Sequence, residues 1–272
     1  MSRIVDLSMP VHRDMVTFPR INPPQMLMFD TWEDFAKGVG ADKYGVDKLT
    51  ASYTIIQSDH AGTHMDAVKH IRPDGPGASE IPLEYCFSDG VVLDFRHKEY
   101  GAGILAAEID EALDKIGYEL KEKDIVLIQT GASAYNDDQE RYLRDHCGMT
   151  RESTLHLISK GVRMMGIDAV TFDPPVWAMF EREQFWEAHR VMWEEDYWHL
   201  ENLTNLDQLP PYGFKLSVLP IKWVGTTGAP VRAVAILDDV GGGCPSSHRV
   251  VTPDAAQSAL DVLQLLPGIP IL

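Results

Sequence analysis

Two short apolar runs on either side of an amphipathic segment constrain the fold most strongly. Residues 90–95 (GVVLDF) and 124–130 (DIVLIQT) are rich in Val, Ile and Leu and lie next to glycine, as buried strands often do. Between them, apolar residues recur at helical spacing, which predicts a helix over 105–118. These positions are Ala106, Ile109, Leu113 and Ile116. The chain is therefore expected to pack helices against buried strands.

The rest of the chain continues this mixture without strict alternation. Further helices are predicted over 151–160 and 181–194, and further strands over 3–7, 51–58, 162–167, 214–219 and 231–237. This pattern predicts an α/β or α+β protein with a single domain over 1–240. A glycine run at 241–243 separates a C-terminal tail, 241–272, in which residues 253–266 could form one helix.

The segment 9–48 is predicted to be an irregular lid over a pocket. Four prolines, at positions 10, 19, 23 and 24, exclude a continuous helix there. Long irregular segments within compact domains are often functional loops.

Charge and composition exclude several classes of partner. The 272 residues carry a net charge of −17, which disfavours binding to nucleic acid or to anionic membranes. No apolar stretch approaches the roughly 18 residues of a membrane span, and the N-terminal residues do not resemble a secretory signal. The three cysteines are far apart and odd in number, so we expect a cytoplasmic protein without a disulfide framework.

Histidines and a carboxylate cluster in residues 60–70 (HAGTHMDAVKH). Neutral imidazoles and carboxylates are the usual protein ligands of first-row divalent cations. His64 and Asp66 are two residues apart and point to the same side of an extended backbone, while Gly62 allows the chain to turn so that His60 converges on them. No cysteine lies nearby, which disfavours a closed structural zinc site.

The same residues resemble the cyclase family of metal-dependent hydrolases, which includes kynurenine formamidases, isatin hydrolases and trans-dienelactone hydrolases. The family signature HxGTHxDxPxH is matched at every position except the proline, which is Val68 here. Residues 125–131, 162–173, 187–203 and 214–236 resemble further family segments. The match is poor in the irregular N-terminal segment and after Gly241.

The resemblance implies a swivelling β/β/α fold that assembles as a homodimer or homotetramer. It implies metal ligation by His60, His64 and Asp66, with His189 and Glu201 completing a second metal position in members that hold two ions. It implies that His70 is the catalytic histidine. His199 competes for ligand status, but we expect it to be a strand histidine that faces away from the metal.

The predicted reaction is hydrolysis by a metal-activated water. Three protein ligands leave coordination positions open for water and substrate, and the cation lowers the pKa of the water. His70 could move the proton. The ions, one or two, could be Zn²⁺ or Mn²⁺, since such sites accept both. No G-x-S-x-G elbow is present, which disfavours a serine esterase.

The expected substrate is a small, flat molecule. Phe18 and Trp186 are the predicted substrate-binding residues, and Arg20, Lys69 and Arg190 could bind an anionic group. Further aromatic candidates are Trp177, Phe185, Trp193, Tyr197 and Trp198. The run after the motif resembles the lactone- and isatin-hydrolase branches, so a cyclic ester or cyclic amide is preferred. The alternatives are an N-formyl aromatic amide, as in kynurenine formamidase, and a non-catalytic metal- or ligand-binding member of the fold. A cupin would require an HxH pair followed by Glu, which this sequence lacks.

Overall fold

The structure, a computed structural model, describes residues 2–238 and is built around a curled nine-stranded mixed sheet. The strands are β1 (Arg3–Asp6), β2 (Gln25–Asp30), β3 (Ser52–Ile56), β4 (His64–Asp66), β5 (Phe87–Asp94), β6 (Gly103–Ile104), β7 (Ile125–Gln129), β8 (Gly148–Met149), β9 (Met164–Ile167), β10 (Trp198–Glu201), β11 (Phe214–Ser217), β12 (Gly228–Pro230) and β13 (Val234–Leu237). The helices are α1 (Trp32–Gly38), α2 (Ala106–Ile116), α3 (Gln139–Tyr142), α4 (Arg151–Ser159) and α5 (Val176–Arg182), with short 3-10 turns between them. The predicted tail, 241–272, and its helix over 253–266 lie outside the described residues.

Four parallel strands form the centre of the sheet. The order is β1-β13-β11-β5-β7-β9-β10-β4-β12, and β5, β7, β9 and β10 run parallel to one another. Every residue of β7 is buried, as expected for a strand covered on both faces. In β9, a Cβ on Gly166 would lie only 2.7 Å from Leu203 Cδ1, so this strand needs a glycine where Leu203 packs against it. The predicted mixed α/β fold in a single domain is confirmed.

Most predicted elements are present with boundaries shifted by a few residues. The helices α2 and α4 lie within the predicted ranges and contact each other. Thr150 caps α4, since its Oγ1 accepts a hydrogen bond from the Ser153 amide at 3.2 Å. None of the helices between residues 2 and 238 is long and apolar enough to cross a membrane.

The prediction of an irregular segment over 9–48 was wrong for its second half. Strand β2 pairs antiparallel with β3, and α1 follows directly after β2. The four prolines all precede residue 25, so they do not interrupt these elements. The β2 partner lies more than twenty residues further along the chain, beyond the range of a local pattern.

The predicted helix over 181–194 was also wrong. Helix α5 ends at Arg182, and a separate 3-10 turn spans His189–Trp193. Glu183 and Trp186 both have positive φ, at 55° and 50°, a conformation that ends a right-handed helix. The break turns residues 183–188 into a loop and presents His189 to the sheet.

Asp168 joins the ends of two central strands. Its buried carboxylate follows β9 and accepts hydrogen bonds from the amide and hydroxyl of Thr130, at 2.6 and 2.7 Å, and from the Gly131 amide at 2.9 Å. Burial raises the pKa of this carboxyl, while the hydrogen bonds oppose the shift. The turn after β7 therefore depends on one side chain from β9.

Replacing Asp168 with Ala should lower the free energy of unfolding by about 3 kcal/mol, because buried donors would lose their acceptor. Urea denaturation of the variant measures this change. Asp207→Ala is the control, since that carboxylate is exposed. Equal unfolding midpoints for the two variants would show that the Asp168 network does not stabilise the fold.

Candidate metal centre

The antiparallel pair β4–β10 gathers the metal-ligating side chains on one face of the sheet. In this register His199 lies opposite Asp66, and Glu201 lies opposite His64. Residues two apart in a strand share a face, so the two strands present two side chains each to the same space. All four side chains are buried.

Two overlapping groups of ligand atoms meet at Asp66. The buried group is Asp66, His189, His199 and Glu201, and the group nearer the surface is His60, Asp66 and His70. Within each group the potential ligand atoms lie within 4.8 Å of one another. Asp66 is therefore placed to bridge two cations or to hold one in either group.

His64 lies beside the buried group without belonging to either set. Its Nε2 is 3.1 Å from Asp66 Oδ1 and 3.7 Å from Glu201 Oε2. Its Nδ1 donates a hydrogen bond to the Gly62 carbonyl at 2.8 Å, which leaves Nε2 as the free nitrogen. Gly62 has φ of 75°, so the turn expected between His60 and His64 is present.

His199 faces the metal centre, so the prediction that it points away was wrong. Its Nε2 lies 3.3 Å from Asp66 Oδ2 and 3.5 Å from Glu201 Oε1, and the side chain is fully buried. Phe172 stacks on its ring at a centroid distance of 4.5 Å. The WHLE run carried the signal, because His199 and Glu201 are two residues apart in a strand.

Carboxylates and a hydroxyl outside the groups fix the histidine tautomers. His189 Nδ1 donates to Asp173 Oδ2 at 2.6 Å, so its Nε2, which faces Asp66 and Glu201, is the nitrogen that a cation would bind in place of a proton. Thr227 donates its hydroxyl proton to Asp59 and so must accept from His60 Nε2, at 2.8 Å. His60 Nδ1 is then directed at Asp66 Oδ1, 2.8 Å away.

Gly228 makes room for His60. A Cβ at Gly228 would lie 2.8 Å from His60 Cε1 and 2.9 Å from the Met65 carbonyl oxygen. Gly228 is on β12, opposite Asp66 on β4. Because Gly228 has no side chain, the His60 ring has room to lie against Asp66.

The donor set fits a divalent cation. Three buried nitrogens, His64 Nε2 and both ring nitrogens of His199, have no hydrogen-bond partner among the described residues. A buried polar atom without a hydrogen-bond partner lowers the stability of the fold. Coordination to a cation would satisfy the Nε2 atoms of His64 and His199, which face the carboxylates of Asp66 and Glu201. Histidine and carboxylate donors suit first-row divalent ions, but they do not distinguish Zn²⁺ from Mn²⁺.

The carboxylates give this buried space a strong affinity for positive charge. Burial by itself would raise the pKa of Asp66, but the neighbouring His60, His70 and His189 hold it well below its usual range. Burial likewise opposes protonation of His64, yet Asp66 and Glu201 raise the pKa of this ring to about 9. The same negative potential that retains protons on the rings would favour a cation in their place.

His70 differs from the other histidines in its exposure. About a third of its side chain is accessible, and its Nε2 is 3.7 Å from Asp66 Oδ2. Its ring lies 4.1 Å from that of His60. Burial lowers the pKa of His70 to about 4, against the raising effect of Asp66, so the ring is neutral near pH 7 and can accept a proton.

A cavity of about 250 Å³, here called the metal cavity, opens onto both ligand groups. Its lining residues are Phe18, Pro19, Ile21, His60, Asp66, His70, Thr171, Trp186, His189 and Glu201. Both predicted substrate-binding residues, Phe18 and Trp186, therefore reach this cavity. Their rings meet edge to face at a centroid distance of 6.2 Å. From the predicted lid segment, only residues 18, 19 and 21 line it.

Other predicted contributors do not line the metal cavity. The three basic candidates, Arg20, Lys69 and Arg190, are absent from its lining, as are the aromatic candidates Phe185, Trp193, Tyr197 and Trp198. Tyr197 and Trp198 are buried in the core, whereas Phe185 and Trp193 are exposed. Thr171 and Asp173, which the sequence did not single out, reach the centre because the loop after β9 runs past it.

Replacing His199 with Ala should weaken metal binding by about 10-fold or more, since a nitrogen of the buried group is lost. Asp66→Ala, which removes the shared carboxylate, should weaken it by about 100-fold or more. Metal content after dialysis against a chelator series measures both effects. His97→Ala is the control because His97 is exposed. Metal retention by His199→Ala equal to that of His97→Ala would exclude His199 as a ligand.

Comparison with known proteins identifies the family of this chain. The family described as putative cyclase matches residues 5–174. Kynurenine formamidase of Sphingopyxis alaskensis is 27% identical over 234 residues, covering 86% of this chain and 98% of the relative. An isatin hydrolase bound to the product analogue thioisatinate superposes with a TM-score of 0.75 at 18% identity, covering 87% of this chain and 92% of that one. A potential metal-dependent hydrolase with cyclase activity gives a TM-score of 0.65 at 19% identity, covering 88% and 100%. This chain belongs to the cyclase family of metal-dependent hydrolases.

Proposed function

We propose that the protein hydrolyses a small cyclic ester or cyclic amide with water activated at the metal centre. The observation that carries this proposal is the contrast between the buried ligand group and the accessible His70. A site with a purely structural metal has no need of a neutral, partly exposed histidine in an open cavity beside it. This contrast also disfavours a non-catalytic binding protein.

A divalent cation bound at Asp66 would lower the pKa of a water molecule and polarise the substrate carbonyl. His70 lies at the cavity wall, where its neutral ring can accept the proton of the attacking water. The same ring can return that proton to the leaving oxygen or nitrogen. Phe18 and Trp186 form an aromatic wall that suits a flat ring and helps to exclude bulk water.

The charge of the metal cavity favours an uncharged substrate. Among residues 2–238, no lysine or arginine lines this cavity. An anionic substrate would therefore depend on the metal alone to offset the carboxylates. A lactone or cyclic amide carries no charge before ring opening, and its product gains a carboxylate that these acidic groups would repel.

N-formyl aromatic amide hydrolysis is the second candidate, favoured by the similarity to kynurenine formamidase. It uses the same residues, with formate as one product. Comparing kcat/KM for isatin, dihydrocoumarin and N-formylaniline with metal-loaded protein separates the candidates. A higher value for N-formylaniline than for either cyclic compound would make the formamidase assignment the better one.

His70→Ala should lower turnover by about 100- to 10,000-fold while leaving metal content unchanged, because a positioned acid/base group is lost. The loss should be larger for an amide than for an activated lactone, since an amide nitrogen must be protonated to leave. Metal analysis and rates on isatin and dihydrocoumarin measure this, with His97→Ala as the control. Metal loss would make His70 a ligand, and unchanged rates on both compounds would make it structural.

We also propose that the chain forms a homo-oligomer through the hairpin β2–β3 and helix α1. Every residue of β3 is exposed, and an isolated two-stranded hairpin is marginally stable in water. Twelve large apolar side chains between residues 26 and 56 are exposed, including Phe29, Tyr53 and Ile55. Half-covered side chains of this size expose roughly 1,000 Å² together, close to what each partner buries in a stable interface. A second copy of the chain, as dimer or tetramer, would cover this surface.

The double variant Phe29→Glu/Ile55→Glu should dissociate this oligomer, because it places charges in the apolar contact. Size-exclusion chromatography with light scattering measures the mass at micromolar concentration. Val224→Glu, at a side chain that is 85% exposed outside the hairpin, is the matched control and should leave the mass unchanged. A monomeric wild-type protein, or a double variant with wild-type mass, would refute assembly through the hairpin.

A further inference from the structure

A second cavity adjoins the metal cavity and is larger. It has a volume of about 530 Å³ and is here called the side chamber. Its lining residues are Phe18, Pro19, Gln139, Glu140, Leu143, Arg144, Val170, Thr171, Val176 and Trp177. Phe18, Pro19 and Thr171 line both cavities, so these three residues form the boundary between them.

Two separate segments of the chain form this boundary. Phe18 and Pro19 come from the N-terminal segment, where Phe18 is half-buried and Pro19 is exposed. Thr171 is on the loop after β9 and is only 3% exposed. Because Thr171 lines both cavities, a ligand that extended from one cavity into the other would pass this residue.

The walls of the side chamber are mainly apolar and partly fixed. Trp177 Nε1 donates a hydrogen bond to the Arg144 carbonyl at 3.0 Å. The Trp177 ring packs closely on Gly101, because a Cβ added to that glycine would lie only 2.5 Å from Trp177 Cη2. Val170 is buried behind the chamber, and Leu143 lies half-buried beside it. Ordered apolar walls of this kind bind apolar groups with little loss of conformational entropy.

The charges of the chamber are balanced and lie in exposed positions. Glu140 and Arg144 are both exposed and carry opposite signs, and neither forms an ion pair with a described residue. The chamber therefore offers no net charge to an ionic group. Shape and apolar contact would therefore decide which groups fit there.

Size distinguishes the two cavities as binding sites. The metal cavity, at about 250 Å³, is smaller than the 300–1,000 Å³ usual for small-molecule pockets, whereas the two volumes together fall within that range. A substrate confined to the metal cavity would leave the apolar surface of the side chamber in water. A substrate that reached both would bury that surface.

We propose that the substrate carries an apolar or aromatic arm that passes between Phe18 and Thr171 and binds in the side chamber. The inference rests on the proposed hydrolase activity and specifies its substrate class: a cyclic ester or amide with an apolar substituent on its ring. Leu143, Val176 and Trp177 are then the residues that determine specificity. They contact the arm and not the reacting atoms.

The test compares substrates that differ only in the arm. Isatin and dihydrocoumarin are each paired with a benzyl-substituted derivative that directs the benzyl group away from the scissile bond. Burial of the added ring should raise kcat/KM of the metal-loaded protein by about 10- to 100-fold. Leu143→Trp fills the chamber, so it should bring the ratio of kcat/KM between the two members of a pair close to one.

Val176→Phe provides a second, smaller filling substitution, and it decides the outcome if Leu143→Trp does not fold. Leu83→Trp is the matched control because Leu83 is 62% exposed and lines neither cavity, so the preference should persist. A wild-type protein that treats both members of each pair equally would overturn the proposal. So would a filled variant that folds and keeps the full preference.

Binding to metal-free protein separates this proposal from the proposed reaction. Isothermal titration calorimetry with dihydrocoumarin and its benzyl derivative should show at least about 10-fold tighter binding of the derivative, lost in the filled variant. If no compound is hydrolysed but this binding preference is present, the side chamber stands and the hydrolase proposal fails. Equal affinities for the two compounds in wild-type protein overturn the side chamber whatever the activity.

Discussion

The pairing of β4 with β10 is the constraint on which the rest of the site depends. It places His199 opposite Asp66 and Glu201 opposite His64, so that four potential ligands meet on one face. A slip of one residue in this register would turn one pair of side chains to the opposite face of the sheet. The neighbouring β12 contributes a glycine where His60 must lie, and β9 leads into the loop that carries Thr171 and Asp173.

This arrangement creates an electrostatic imbalance that a cation can correct. Asp66 and Glu201 are both buried, and removing a carboxylate from water costs several kcal/mol unless positive charge compensates. Protonated histidines provide part of that compensation, as the raised pKa values of His64 and His189 indicate. A divalent cation would compensate more fully, and the hydrogen bond of His189 Nδ1 to Asp173 leaves Nε2 as the nitrogen that such a cation would bind.

Local patterns in the sequence predicted those parts of the site that lie within one stretch of chain. The spacing of His60, His64 and Asp66 was enough to predict convergence, because a strand and one glycine turn determine their directions. His189 and Glu201 came only from the family resemblance, since more than a hundred residues separate them from the motif. His199 was misjudged, although strand alternation placed it beside Glu201.

The remaining differences arise from contacts between distant segments. The pairing of β2 with β3 has no local signal, and the helix predicted over 181–194 failed where Trp186 adopts positive φ. The side chamber could not be predicted from sequence, because its walls come from the N-terminal segment, the region of α3, the loop after β9 and the start of α5. Periodicity identifies elements, but it does not say which loops will meet.

The most direct measurement is anomalous X-ray diffraction from crystals of metal-loaded protein, collected on both sides of the absorption edge of the metal. If Asp66 is the shared ligand, an anomalous peak will lie about 2.0–2.2 Å from one of its carboxylate oxygens. The same peak will lie at a similar distance from His189 Nε2 and from a Glu201 carboxylate oxygen. A fully loaded crystal whose only anomalous peaks lie away from Asp66 would contradict the assignment of the metal centre.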